Sequence, residues 1–192
     1  MDMKRNIFIL ALVLAAVIVV IATNWESGEK RNASGDGSVV DDVAVNLPEA
    51  PKKGAMAPAF KLKSLDGTED YGVGGQRDKV LIVNFWASWC GPCEKEAPDL
   101  VDIFNKHKNE VDLYAVNATN YDKLRNAKVF VREQGFEMPV LTDADGAAGD
   151  LYKVYSYPTS FIVGRDGVIL QRIEGLIDRK QWEKYLEEAI KA

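Results

Sequence analysis

Cys90 and Cys93 are the only cysteines in this 192-residue chain, and they bracket Gly91 and Pro92. A pair with two intervening residues can exchange disulfides, staple a loop or help to hold a metal. The preceding residues favour exchange. The apolar run Val80–Trp86 leads through Ala87, Ser88 and Trp89 to Cys90, so the dithiol falls where a buried strand should turn into a helix. Pro92 suits a first helical turn, where a missing N–H leaves no bond unmade. Residues three apart on a helix share a face at about 5–6 Å, within the Cα separation of about 4.4–6.8 Å that a disulfide requires. The free N–H groups of a helix start stabilise a thiolate. Cys90 is therefore the expected nucleophile. Cys93, one turn in, is expected to be the more buried sulfur and to resolve the mixed disulfide.

Other uses of the pair fit less well. A structural disulfide across two residues closes a small loop and removes little unfolded-state entropy. A zinc site needs about four ligands, and the chain adds one histidine, His107, about four turns further along the same helix. A copper(I) chaperone using Cys90, Cys93 and His107 is the non-enzymatic alternative. A docking module with an incidental dithiol is another.

The elements that must position the pair follow from periodicity. Ala59–Lys63 alternates and meets a turn at Asp66-Gly67, predicting a hairpin. Val80–Trp86 reads as a central strand buried on both faces. A helix from Cys90 to about His107 contains Pro98, where a kink is expected. Val111–Asn117 reads as a strand, Tyr121–Gln134 as a helix stopped by Gly135, and Ala147–Tyr152 as a short helix. Thr159–Val163 is a strand, Arg165-Asp166-Gly167 a turn into a strand over 168–174, and Asp178 the cap of a last helix reaching Ile190. Strands alternating with helices imply an α/β fold, a mixed sheet covered on both faces.

The N-terminus differs in kind. Lys4 and Arg5 precede an unbroken apolar run from Ile7 to Ala22. Its length, the basic residues before it and the aromatic Trp25 after it fit a transmembrane signal anchor with the N-terminus cytoplasmic. A cleaved signal peptide is the alternative. The expected organisation is a cytoplasmic N-terminus over 1–6, an anchor over 7–23, a flexible linker over 24–54 and one domain over 55–192. Either reading exports that domain to an extracytoplasmic, disulfide-permissive side, where cysteines kept only as a CxxC point to chemistry rather than staples. A net charge of −5 argues against nucleic acid as the partner. The triplets at Asn32 and Asn117 match glycosylation acceptors, a weak pattern.

Five features, in order, resemble the thioredoxin superfamily, and more narrowly its membrane-anchored TlpA/ResA-type thiol–disulfide oxidoreductases. They are Gly54–Leu62, Asn84–Cys93, Glu96-Ala97-Pro98, the insert from about Asn117 to Tyr155 with Met138-Pro139-Val140, and Tyr157-Pro158-Thr159. The resemblance implies a thioredoxin-like fold with an N-terminal hairpin and a central βα insert. It implies Cys90 as nucleophile and Cys93 as resolving cysteine, the pair forming a redox-active disulfide. Pro158 stands where the family has a cis-proline, and Tyr157 is positioned to offer backbone groups to an extended substrate. Trp89 is expected to form an apolar docking patch beside Cys90. Glu96 matches an acidic position near the dithiol and is expected to exchange a proton with it. Asn84 replaces the buried aspartate usual in cytosolic thioredoxins. No Pro and Thr precede Cys90 at the spacing of peroxiredoxins.

The implied activity is disulfide reduction, with apocytochrome c and its CxxCH thiols as client and a membrane thiol carrier as electron donor. No cofactor is expected, and the chain is expected to be a monomer. The alternatives are a disulfide oxidase and a reductase for another envelope or sporulation client.

Overall fold

The computed structural model describes residues 47–192. The anchor over 7–23, the N-terminus before it and most of the linker lie outside the described residues. Among those described, no helix is long and apolar enough to cross a membrane.

The chain runs β1 (Phe60–Ser64), β2 (Asp70–Val73), β3 (Val80–Trp86), α1 (Gly91–His107), β4 (Val111–Asn117), α2 (Leu124–Glu133), β5 (Val140–Thr142), α3 (Ala147–Leu151), β6 (Thr159–Val163), β7 (Ile169–Glu174) and α4 (Arg179–Lys191). The strands form one mixed sheet in the order β2-β1-β5-β4-β3-β6-β7. β3 pairs parallel with β4 and antiparallel with β6. This is the thioredoxin-like α/β fold, with helices on both sides of the sheet.

All seven residues of β3 are buried. Side chains alternate across a strand, so Val80, Ile82 and Trp86 join the core shared with α1, α2 and α4, while Leu81, Val83 and Phe85 join the core containing Tyr152 and Phe161. Asn84 belongs to the even-numbered set. The same alternation that packs Ile82 under α1 therefore delivers an amide to that helix.

The sequence reading differs from the structure in three places. The periodicity gives no bounds for β5, the strand of the expected βα insert; it adds a parallel neighbour to β4 and an antiparallel one to β1. Three residues after a proline are too few to show alternation. The second helix begins at Leu124 rather than Tyr121, because Asp122 spends its carboxylate on the dithiol loop. The domain's hydrogen bonding also begins before Gly54. Met56 N–H donates to Pro48 O, Gly54 N–H donates to Ile169 O, and Ile169 N–H returns to Ala55 O. This segment covers the outer side of β7, an edge strand that would otherwise present unpaired backbone groups.

Arg172 on β7 ties this segment to the loop after α3. Its guanidinium donates to Pro51 O, Tyr152 O and Lys153 O at 2.8–2.9 Å and lies 5.1 Å from the centre of the Phe161 ring. The loop held in this way leads to Tyr157 and Pro158.

Candidate active site

β3 ends at Trp86, the chain turns through Ala87–Trp89, and α1 starts at Gly91. Cys90 is the N-cap of α1, and its sulfur accepts the Cys93 N–H at 3.2 Å. The two cysteines are joined in a disulfide with a Cα separation of 5.2 Å, as helical spacing predicts. The expected difference in burial is absent in this oxidised form, with Cys90 5% and Cys93 4% exposed. The asymmetry lies instead at the helix start, where Cys90 is the N-cap and its sulfur accepts the Cys93 N–H.

Glu96 follows Cys93 by three residues, on the same face of α1. It is only 2% exposed, not a solvated helix glutamate. Asn84 Nδ2 donates to one carboxylate oxygen at 3.2 Å and to Ser160 Oγ at 2.8 Å. The Trp182 indole N–H donates to the other oxygen at 3.3 Å. Burial pushes the Glu96 carboxyl up to about 7, against the opposing effect of the bonds from Trp182, the Ile177 backbone and Asn84. A carboxyl poised near neutrality can take and return a proton within the working pH range. The sequence marked Glu96 and Asn84 but did not join them, and it missed Ser160 and Trp182. Trp182 reads as one more apolar residue of an amphipathic helix, and its indole N–H has no sequence signature.

The loop before Cys90 is held by a residue the sequence reading also missed. Asp122 accepts from Ser88 N–H and Ser88 Oγ at 2.6 Å each, from Asn117 Nδ2 at 2.9 Å and from Lys123 N–H at 2.8 Å. Burial acts to raise its pKa, but the bonds from Ser88, Asn117 and Lys123 outweigh it and hold the carboxyl below its usual range. Asn117 is fully buried in this cluster, so its acceptor-like triplet is not a surface feature. Asp122→Ala strands the Ser88 and Asn117 donors. It is expected to lower stability by about 2 kcal/mol and to shift the reduction potential, as a loop fixed to Cys90 requires. Chemical denaturation and thiol–disulfide equilibration check the two effects.

Trp89 is 62% exposed. Its indole N–H donates to Tyr121 O at 3.1 Å, and its ring meets Tyr157 edge-on at 5.9 Å. The Tyr157–Pro158 peptide bond is cis. Phe85 is opposite Thr159 in the β3–β6 register, which brings the Tyr157-Pro158 turn to the end of the sheet where the dithiol lies. His107, by contrast, is about 21 Å along α1 from Cys93 and contacts Glu183 at 3.0 Å. The copper reading therefore loses its third ligand.

A thioredoxin-like sheet, a disulfide at the N-terminus of the helix after its central strand, and a cis-proline turn beside it define the class of thiol–disulfide oxidoreductases. Comparison with known proteins narrows the class. Residues 53–172 match the AhpC/TSA family. The chain is 34% identical over 139 residues to the thiol–disulfide oxidoreductase ResA of Bacillus thuringiensis, covering 70% of this chain and 76% of that protein. It is 28% identical to ResA of Oceanobacillus iheyensis, covering 96% of this chain and 90% of that one. Its fold matches the crystal structure of a candidate thiol:disulfide interchange protein DsbE from Chlorobium tepidum, with a TM-score of 0.64 and 30% identity, over 72% of this chain and 98% of that one. The chain belongs to the AhpC/TSA family and is a ResA-type thiol–disulfide oxidoreductase of the thioredoxin superfamily.

Proposed function

We propose that the chain is a membrane-tethered, extracytoplasmic disulfide reductase whose client is the CxxCH pair of apocytochrome c. The observation that carries the reading is a dithiol at a helix start with a buried carboxyl one turn beyond its second cysteine. The apolar run over 7–22 behind Lys4 and Arg5 supports the tether and the orientation.

The chemistry balances without a cofactor. Cys90 thiolate attacks one sulfur of the client disulfide. That S–S bond breaks, a Cys90–client disulfide forms, and the client's other sulfur leaves as a thiolate and takes a proton from water. The Cys93 thiol gives its proton to the Glu96 carboxylate, and its thiolate attacks Cys90 Sγ. The second client thiolate leaves and is protonated, and Cys90–Cys93 is left as a disulfide. The client gains two electrons and two protons. A membrane dithiol carrier returns two electrons to the chain. Trp89 and the Tyr157-Pro158 turn bound the docking surface in this reading.

The test uses the full chain, reduced and held in detergent, with a peptide carrying an oxidised CxxCH. Stoichiometric two-electron reduction, faster than that of the same peptide without the histidine, is expected. Equal rates would remove apocytochrome c as the preferred client and leave a general envelope reductase.

A further inference from the structure

A cleft of about 600 Å³ opens beside the dithiol loop, walled by Trp89, Tyr121, Tyr155 and Tyr157, with Asp143 and Asp150 in its lining. Tyr155 is 88% and Tyr121 70% exposed. Large aromatic side chains gathered in one open cleft, rather than scattered singly, mark a contact surface. The cleft is also one-signed. No lysine or arginine lines it, while two carboxylates do. Asp143 is tied to the backbone N–H groups of Ala148 and Gly149. Asp150 is exposed. Burial pushes the Tyr157 hydroxyl up, and Tyr121, Asp143 and Asp150 push it further. Aromatic faces carry negative charge density and attract cations. Trp89 and Tyr157 belong to both the cleft and the rim of the redox site, so a client bonded to Cys90 lies against it.

We propose that this cleft is a specificity subsite for a lysine or arginine side chain of the client, a few residues from the attacked cysteine. The cation sits between the aromatic faces, with Asp150 as its counter-charge. The proposal rests on the disulfide-exchange reading and adds to it a charge preference. The chain's clients should carry basic residues beside their reducible pair.

The test compares kcat/KM of the full chain in detergent on three disulfide peptides that differ only in flanking residues: lysine, leucine or glutamate. The lysine peptide is expected to be reduced about ten-fold faster than the glutamate peptide. That ratio should fall toward one in about 1 M salt, where the Debye length is about 3 Å. Asp150→Asn and Tyr155→Ala should each diminish the ratio, and Asp150→Lys should favour the glutamate peptide. Both side chains are solvent-exposed, so the fold should survive, and circular dichroism checks this. Equal rates for all three peptides overturn the subsite and leave the oxidoreductase reading standing. The fastest rate on the leucine peptide makes the cleft an apolar dock and overturns the cation. A lysine preference that survives Asp150→Asn and Tyr155→Ala places the preference elsewhere and also overturns the subsite. Reduction of none of the peptides removes the exchange reading, and the subsite with it.

Discussion

Replacing Cys93 with serine is expected to turn the chain into a trap for its clients. Cys90 still lies at the N-terminal N–H groups of α1 and still attacks. The second displacement has lost its nucleophile, because no other cysteine exists in the chain. The Cys90–client disulfide then decays only through outside thiols, over minutes to hours. Catalytic turnover should fall roughly 10³-fold or more, and a covalent adduct should accumulate that a reducing agent releases. Cys90→Ser should lose turnover as severely without any adduct. The asymmetry between the two variants is the informative result, because the oxidised structure buries both sulfurs alike. Non-reducing electrophoresis and mass mapping of the adducts read it directly. An adduct on Cys93 in the Cys90→Ser variant, comparable in yield, would reverse the roles.

Glu96→Gln is expected to change how the protein responds to pH. In the disulfide form the Glu96 carboxyl is raised from its ordinary 4.5 to about 7 by burial. The folded state therefore holds this proton more tightly than the unfolded chain does. Stability from this group is fully present below about pH 4.5, declines as pH rises, and is lost above about pH 7. The full span is on the order of 3 kcal/mol. Glutamine resembles the protonated acid and does not ionise, so the variant should show a nearly flat stability between pH 5 and 8 where the parent falls. Urea denaturation of the oxidised protein across that range measures it. The catalytic consequence has the opposite sense. Without a carboxylate to take its proton, Cys93 should resolve the mixed disulfide more slowly near pH 7. The rate should then follow the thiol's own ionisation near about 8.5. Unchanged resolution kinetics in Glu96→Gln would reduce Glu96 to a buried structural group.

What the sequence disclosed and what it withheld divide along physical lines. Val80–Trp86 and the Cys90–Cys93 spacing were legible because both are local patterns, a run buried on two faces and a helical turn. Strand β5 was not, since Val140–Thr142 is too short to carry a period. The site's polar scaffold was illegible for another reason. Asn84, Glu96, Ser160 and Trp182 come from two strands and two helices up to 98 residues apart, and a single sequence carries no record of which distant side chains meet. Asn84 bonds to two side chains, because its place in the β3 alternation aims it at α1. Asp122 was absorbed into a helix start whose pattern continued without it, and the structure shows the residue holding Ser88 in the loop before Cys90.

The direction of electron flow is tested most directly by the reduction potential of the Cys90–Cys93 couple. It can be measured on the full chain in detergent by equilibration against redox buffers of known potential. A value near or below about −230 mV is expected for a reductase that draws on a membrane electron supply. A value near about −120 mV would contradict it and make the protein an oxidase that introduces disulfides.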